Sequence, residues 1–299
     1  MNSGLCFEKK ESSSVCYRQF EKWNCLPEEL KLECMKPMDL KTRFCLRRTS
    51  KTEHRLVNSQ RFDLCSIDFD EESDGFIRGT IKDKSYHNTS SRFRFRRSED
   101  MARAISFFSF LFQNANINCF GNNCDVNALD FLTCMNVTSP YRIKTFMGTI
   151  SPKLIQFFEK CADNSFNQIS FVYGDKKPFP VKDLIQCKCL DSVKKWRMGG
   201  RNAPDLGHEI VRKWIEIDVD IGSSQGIQHY GTETVDDFVS ELTDYEIVQK
   251  TATIVRIAST NTEKHIVLRV YNSRRECKMC VLKVVPADFP ESQYETILF

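Results

Sequence analysis

No stretch of this sequence is apolar enough to cross a membrane. The best uncharged window, Ala104–Cys124, loses its apolar character after Phe112, where Gln113, Asn114, Asn116 and Asn118 intervene. That is well short of the ~20 apolar residues a spanning helix needs. Glycine and proline are scarce, at 12 and 9 of 299 residues, which excludes collagen-like and low-complexity chains. An excess of one charge is missing too: 43 basic against 40 acidic residues leave a net +3, so neither a nucleic acid nor a membrane surface is the expected partner. The N-terminus, Met1-Asn2-Ser3-Gly4-Leu5-Cys6-Phe7, has no apolar core of a secretory signal. An intracellular protein, cytoplasmic or nuclear, is expected, with its 14 cysteines reduced and the sequons at Asn88 and Asn136 unused.

What the chain does have is 41% apolar residues, 23 of them Phe, enough to bury a sizeable core. Residues 1–22 are polar and Ser-rich and read as a loose arm. Helical signals begin at Trp23. Pro27 is expected at the first helical position, where its missing N–H costs nothing, and Glu28 and Glu29 suit the positive end of the dipole. Leu30 and Cys34, four residues apart, are expected to share the inward face, with Lys31 and Lys36 elsewhere. Pro37 stops this helix. Asp39 caps a second, with Leu40, Phe44 and Leu46 inward and Lys41, Arg43, Arg47 and Arg48 outward. Ser50-Lys51-Thr52-Glu53 is a capping box that opens a third, running to about Asn58 with Leu56 and Val57 buried. So small a helical unit has a core worth on the order of 3–5 kcal/mol and needs a surface to fold against.

From residue 62 to 98 the period changes to alternation. Leu64–Phe69, Phe76–Ile81 and Arg92–Arg96 read as the strands of an antiparallel meander. Over residues 99–299 helices (Asp100–Phe112, Val126–Met135, Pro152–Cys161, Leu206–Trp214) mix with strands. The expected strands are Ile117–Phe120, Arg142–Met147, Gln168–Tyr173, Val193–Met198, Ile215–Ile221, Ile254–Ala258, Ile266–Tyr271 and Met279–Val285. Units recurring at roughly 25–30 residues resemble an irregular leucine-rich-repeat arc. The expected fold class is α+β: three N-terminal helices, a meander, then a repeat-like helix and strand region.

Several motifs could carry chemistry, and each has a plainer reading. Gly222-Ser223-Ser224-Gln225-Gly226 fits the nucleophile-elbow pattern, with Asp236 and His265 following in the order a hydrolase triad uses. Ile227-Gln228-His229-Tyr230-Gly231 leaves barely one turn for the helix an elbow requires, so a loop after a strand is favoured. Cys187, Cys189, Cys277 and Cys280 could supply four thiolates to a metal, but buried apolar positions explain them more simply. Arg92-Phe93-Arg94-Phe95-Arg96-Arg97 interleaves cations and rings as a single-strand nucleic-acid platform does; alternation instead sends Phe93 and Phe95 to one face and the arginines to the other. No metal-protease, Walker or dinucleotide motif occurs, and no cofactor is expected.

The ungapped segment from Leu26 to Val57 resembles the F-box motif. Its matching positions are Leu26, Pro27, Glu28, Leu30, Met38, Asp39, Leu40, Leu46, Ser50, Lys51, Leu56 and Val57; Cys34 and Glu53-His54 depart from the pattern. The remainder looks like the C-terminal F-box-associated region, FTH type, of the nematode-expanded F-box A family. Asn127-Ala128-Leu129-Asp130-Phe131-Leu132 and Ile169-Ser170-Phe171-Val172 are similar to its helix and strand phrases. The resemblance implies an arm (1–22), an F-box (23–61), a meander (62–98) and an associated region (99–299). It implies a non-enzymatic substrate-recognition subunit of an SCF-type ubiquitin ligase, in which the F-box docks on a Skp-type adaptor, and through it a cullin, while the rest captures an unidentified target protein. Leu26, Pro27, Leu30, Met38, Leu40 and Leu46 are the expected adaptor contacts. A non-catalytic interaction scaffold that never meets a cullin complex is the alternative from another class, with the Ser224 hydrolase a distant third.

Overall fold

A computed structural model of the chain divides into two compact units, residues 1–143 and 144–299. The structure describes residues 6–7, 22–72, 74, 76–84, 90–96, 100–124, 130–135, 138–149, 152–172, 181–199, 203–229, 234–272 and 278–297. The boundaries expected at 61 and 98 both fall inside the first unit.

In the first unit, a short strand β1 (Cys6–Phe7) falls within the expected N-terminal arm, whose residues 1–5 and 8–21 lie outside the described residues. Three helices follow: α1 (Glu28–Met35), α2 (Leu40–Leu46) and α3 (Lys51–Ser59). Then come β2 (Phe62–Glu71), β3 (Phe76–Asp83), β4 (Ser90–Arg96), α4 (Met101–Asn114), β5 (Ala115–Asn123) and α5 (Asp130–Thr133). β2, β3 and β4 form the expected antiparallel meander, and β1 adds to the edge of β4. The other edge of β2 pairs in parallel with β5, from Phe62↔Ala115 to Asp70↔Asn123. A parallel neighbour needs a crossover, which α4 supplies.

The period-two pattern puts Phe69, Phe93, Phe95 and Phe120 on one sheet face, all fully buried, the first three against Phe107 and Phe108 of α4 and Phe120 against Phe69 and Phe112. Phe69 and Phe108 meet edge-to-face at 4.9 Å between ring centroids, and Phe93 lies 5.1 Å from Phe108. Such offset and T-shaped contacts suit the ring quadrupole and add roughly 0.5–1.5 kcal/mol per pair to the burial itself. The arginines of β4 lie on the opposite side. Arg94 donates to Glu72 at 2.7 Å and Asp74 at 2.6 Å, and Arg94 and Arg96 stand over the Phe76 ring at 4.0 and 4.5 Å. The alternation therefore makes a half-buried strand.

The second unit carries β6 (Arg142–Thr149), which begins at the division, then α6 (Pro152–Phe158), β7 (Gln168–Val172), α7 (Val181–Ile185), β8 (Lys195–Gly199), α8 (Ala203–Glu216) and β9 (Ser224–His229). It ends with α9 (Val235–Ser240), β10 (Ile247–Lys250), β11 (Ile254–Ala258), β12 (Lys264–Asn272) and β13 (Lys278–Pro286). β6, β7, β8 and β9 run parallel, and β13, β12, β11 and β10 continue antiparallel from β9. A C-terminal segment lies over the antiparallel part, where Tyr294 and Ile297 join Ile254, Val267, Val281 and Val285 in one apolar cluster.

Several expectations are corrected. The segment Ile215–Ile221 is not a strand: α8 runs through Glu216 and ends in a turn with Asp218 at φ 49°, Asp218 N donating to Ile215 O and Val219 N to Trp214 O. That is a Schellman stop built on aspartate where glycine is usual, so the alternating isoleucines misled. The Gly222–Gly226 segment enters strand β9 at Ser224 rather than a helix. Elements α7, α9, β9 and β10 were not expected. The helix expected over Val126–Met135 is described only as Asp130–Thr133, because residues 125–129 and 136–137 lie outside the described residues.

Candidate docking surface

The first three helices are fixed by caps and one buried ion pair. Thr42 N donates to the Asp39 carboxylate at 2.7 Å, and Glu53 N to Ser50 Oγ at 3.3 Å, as the cap signals required. Leu56 and Val57 are 2% exposed and Met35 is fully buried. Pro27 stands at the N-cap rather than inside the first turn, its carbonyl accepting from Lys31 N at 3.1 Å.

The inward face of α1 differs from expectation. Leu30 is 50% exposed and Cys34 is exposed, whereas Lys31 and Met35 are buried. Glu53 is the physical reason. Its Oε1 accepts from Lys31 Nζ at 3.2 Å and from Trp23 Nε1 at 3.2 Å, while Ser50 Oγ donates to Oε2. The Lys31 stem can bury its methylenes once its ammonium has this partner, which turns α1 by one residue and leaves Leu30 outside. The Ser50 hydroxyl is the largest influence pulling the Glu53 carboxyl down to about 2; desolvation opposes it, and Lys31 adds to it. Arg43, expected outward, is also buried: Nε donates to Met38 O at 3.0 Å and Nη2 to Lys36 O at 2.8 Å, tying down the turn between α1 and α2.

The helical unit has found its surface within the chain. Phe44 meets Phe107 at 4.8 Å and Phe110 at 5.8 Å, and Arg47 lies over Phe110 at 4.8 Å. Pro27, Leu30 and Cys34, at i, i+3 and i+7, make an outward stripe along α1. Leu26, Met38 and Leu46 are half-buried, and Leu40 is 4% exposed and turned inward. A crevice of about 450 Å³ opens beside these helices, bordered by Lys36, Arg43, Arg61 and Lys84 and by Asp63 and Asp83. Its mixed charge forms no nucleophile and base pairing.

The remaining motifs come apart. Asp236 pairs with Lys250, His265 accepts from Arg256, and Ser224 lies in a strand between Lys195 and Lys283, so the three triad candidates each have other partners. Burial pushes the Cys187 thiol up to about 11 and Cys280 to about 12, and raises Cys189 further, whereas a metal needs thiolates. Cys277 lies outside the described residues, and among those described no group of three or more His, Cys, Asp or Glu is set to hold a metal. Among the described residues no helix is long and apolar enough to cross a membrane.

Residues 23–65 match the F-box domain. No curated protein and no solved structure matches the chain. F-box domains bind a Skp adaptor and through it a cullin, and the matched residues span the three capped helices and the start of β2.

Proposed function

We propose that this chain is a substrate-recognition subunit of an SCF-type ubiquitin ligase. The F-box docks on the adaptor through Leu26, Pro27, Leu30, Met38 and Leu46, with Leu40 holding α2 from inside. The region beyond it, read as an FTH-type F-box-associated region with leucine-rich-repeat-like units, captures the target protein, in the cytoplasm or the nucleus. In this reading the chain performs no bond chemistry; it raises the effective concentration of the target at the ligase. The observation that carries the reading is the F-box match together with Leu30, a large apolar side chain left 50% exposed on that domain. A leucine on the rim of an F-box, beside Pro27 and Cys34, is what a partner helix or groove covers.

The test is co-purification with a Skp-type adaptor, comparing wild type, Leu30→Asp and Ser224→Ala. The proposal expects stable co-elution of wild type and of Ser224→Ala. Leu30→Asp should keep its thermal unfolding, since the site is exposed, and lose at least ~2 kcal/mol of binding, about 30-fold. Failure of folded wild type to bind overturns it. That outcome would favour the interaction scaffold, a reading supported by the packing of Phe44 on Phe107, which anchors these helices to their own unit.

A further inference from the structure

The strands β6, β7, β8, β9 and β13 contain no aspartate or glutamate, in a chain with 40 of them. Register sorts their residues onto two faces. Phe146, Ile169, Trp196, Gln225 and Leu282 are successive partners, all at most 2% exposed. Helix α8 lies on that side, where Gly207 approaches Ile227. The opposite face carries the row Thr145, Gln168, Lys195, Ser224 and Lys283, and beside it Met147, Ser170, Arg197 and Gly226.

On this opposite face the C-terminal segment covers Ile254, Val267, Val281 and Val285, and Lys283, between the last two on β13, is half-buried at the margin of that cover. Among the described residues nothing of that segment is seen over the face from β9 to β6, where Lys195 and Arg197 are exposed and Met147 is 48% exposed, with Thr145, Gln168, Ser170 and Ser224 half-buried and Gly226 buried between them. Several other cations of this unit are matched, Lys264 to Asp218 at 2.8 Å and Arg269, Lys213 and Lys250 to Glu295, Asp191 and Asp236. Lys195, Arg197 and Lys283 have no ion-pair or hydrogen-bond partner for their side chains among the described residues. Lys195 and Arg197 stand roughly 7 Å apart along β8, and Lys283 about 10 Å across from Lys195, over two strand spacings.

We propose that this sheet face is the docking surface for an acidic polypeptide segment. Lys195, Arg197 and Lys283 meet its carboxylates, Thr145, Gln168, Ser170 and Ser224 offer hydrogen bonds, and Met147 gives apolar contact. The charge complementarity has no competing acid on the strands themselves. A nucleic acid fits less well, because neither row offers an aromatic ring for base stacking and Trp196 of β8 is on the buried side. The inference rests on the reading of the chain as a target receptor and states the chemistry of the target it takes.

The test is fluorescence anisotropy of the full chain with a labelled poly-glutamate peptide, with poly-lysine and a single-stranded oligothymidylate of matched charge as comparisons. Poly-glutamate is expected to bind, to weaken with salt, and to lose at least ~10-fold in affinity for the K195E/R197E variant, while poly-lysine does not bind wild type. The K195E/R197E variant, altered at exposed positions, should keep its thermal transition and its adaptor co-purification. Absence of poly-glutamate binding, equal binding by the variant, or tighter binding of the oligothymidylate would each overturn the proposal. A wild-type chain that captures poly-glutamate but no adaptor would instead sink the receptor reading and leave the cationic docking face standing.

Discussion

Lys31 Nζ lies 3.2 Å from Glu53 Oε1, with the two side chains only 7% and 5% exposed. The pair joins α1 to α3 and sets which side of α1 faces out. Breaking a buried pair from one side leaves an uncompensated charge, so Glu53→Ala is expected to destabilise the helical unit by about 3–5 kcal/mol. Lys31→Met/Glu53→Leu, which removes both charges, should recover most of that loss. The Glu53 carboxyl is held down to about 2, below its ordinary value, so its contribution is complete above the ordinary carboxylate range and is lost as pH falls toward 2. Urea midpoints of the three chains across that range check both statements; a Glu53→Ala chain as stable as wild type would show that the pair holds nothing.

Gly79 is paired with Phe93 across β3 and β4, and a Cβ built on it falls 1.6 Å from Phe93 Cζ. Phe93 is fully buried among Phe69, Phe95, Phe107 and Phe108, so its ring has nowhere to go. Gly79→Ala should therefore cost about 3 kcal/mol, the upper range for overpacking. Gly199→Ala is the control, because nothing lies within 4 Å of a Cβ there. Thermal unfolding of both variants decides it: equal transitions would mean that the ring relaxes freely.

Gln225 is fully buried in β9, and neither its Nε2 nor its Oε1 has a hydrogen-bond partner among the described residues. Its register neighbour Trp196 likewise has no partner for Nε1 among the described residues. An unsatisfied buried amide costs roughly 1–3 kcal/mol, and methionine has a similar shape without polar atoms. Gln225→Met is expected to raise the melting temperature by about 2–4 °C, corresponding to about 1 kcal/mol. A lower transition would indicate that the amide is satisfied in solution.

The sequence made legible those elements whose local signals agree with their burial. The caps at Asp39 and Ser50 located α2 and α3, and the Phe and β-branched alternation located β2, β3 and β4 and also β11, β12 and β13. It hid β9, because Gln225 and Gly226 put a polar residue and a glycine where a central strand usually has Val or Ile. It hid the facing of α1 as well: Lys31 looks like a surface residue until Glu53, twenty-two positions on, is brought within 3.2 Å. The proposed docking positions Pro27 and Leu30 rest on motif spacing rather than on the helical face, since periodicity points Leu30 inward and the structure leaves it 50% exposed. The cationic face was out of reach of sequence patterns, because it exists only once register aligns Lys195 with Ser224 and Lys283.

The C-terminal segment is held by a guanidinium with neutral partners. Arg256, 7% exposed, donates from Nε to His265 Nδ1 at 2.6 Å and from Nη1 to Tyr294 Oη at 2.7 Å, and Nη2 donates to Ala287 O. His265 must be neutral to accept, and burial first, then the Arg256 charge, lowers its pKa from the ordinary value, with Glu246 opposing weakly. A histidine whose folded pKa is depressed binds protons more readily in the unfolded chain. Its stabilising effect is therefore complete above the ordinary histidine range and is lost as pH falls through the lowered folded value. Acidification should release the segment Ala287–Ile297 before the strands beneath it. Hydrogen exchange of Tyr294 and Ile297 amides, corrected for intrinsic pH dependence, is expected to accelerate in acid in wild type. In His265→Asn, which keeps an acceptor near the Nδ1 position but does not titrate, the acceleration should be much reduced. If the two chains show the same pH profile, the acid sensitivity belongs to other groups and His265 is only a packing residue.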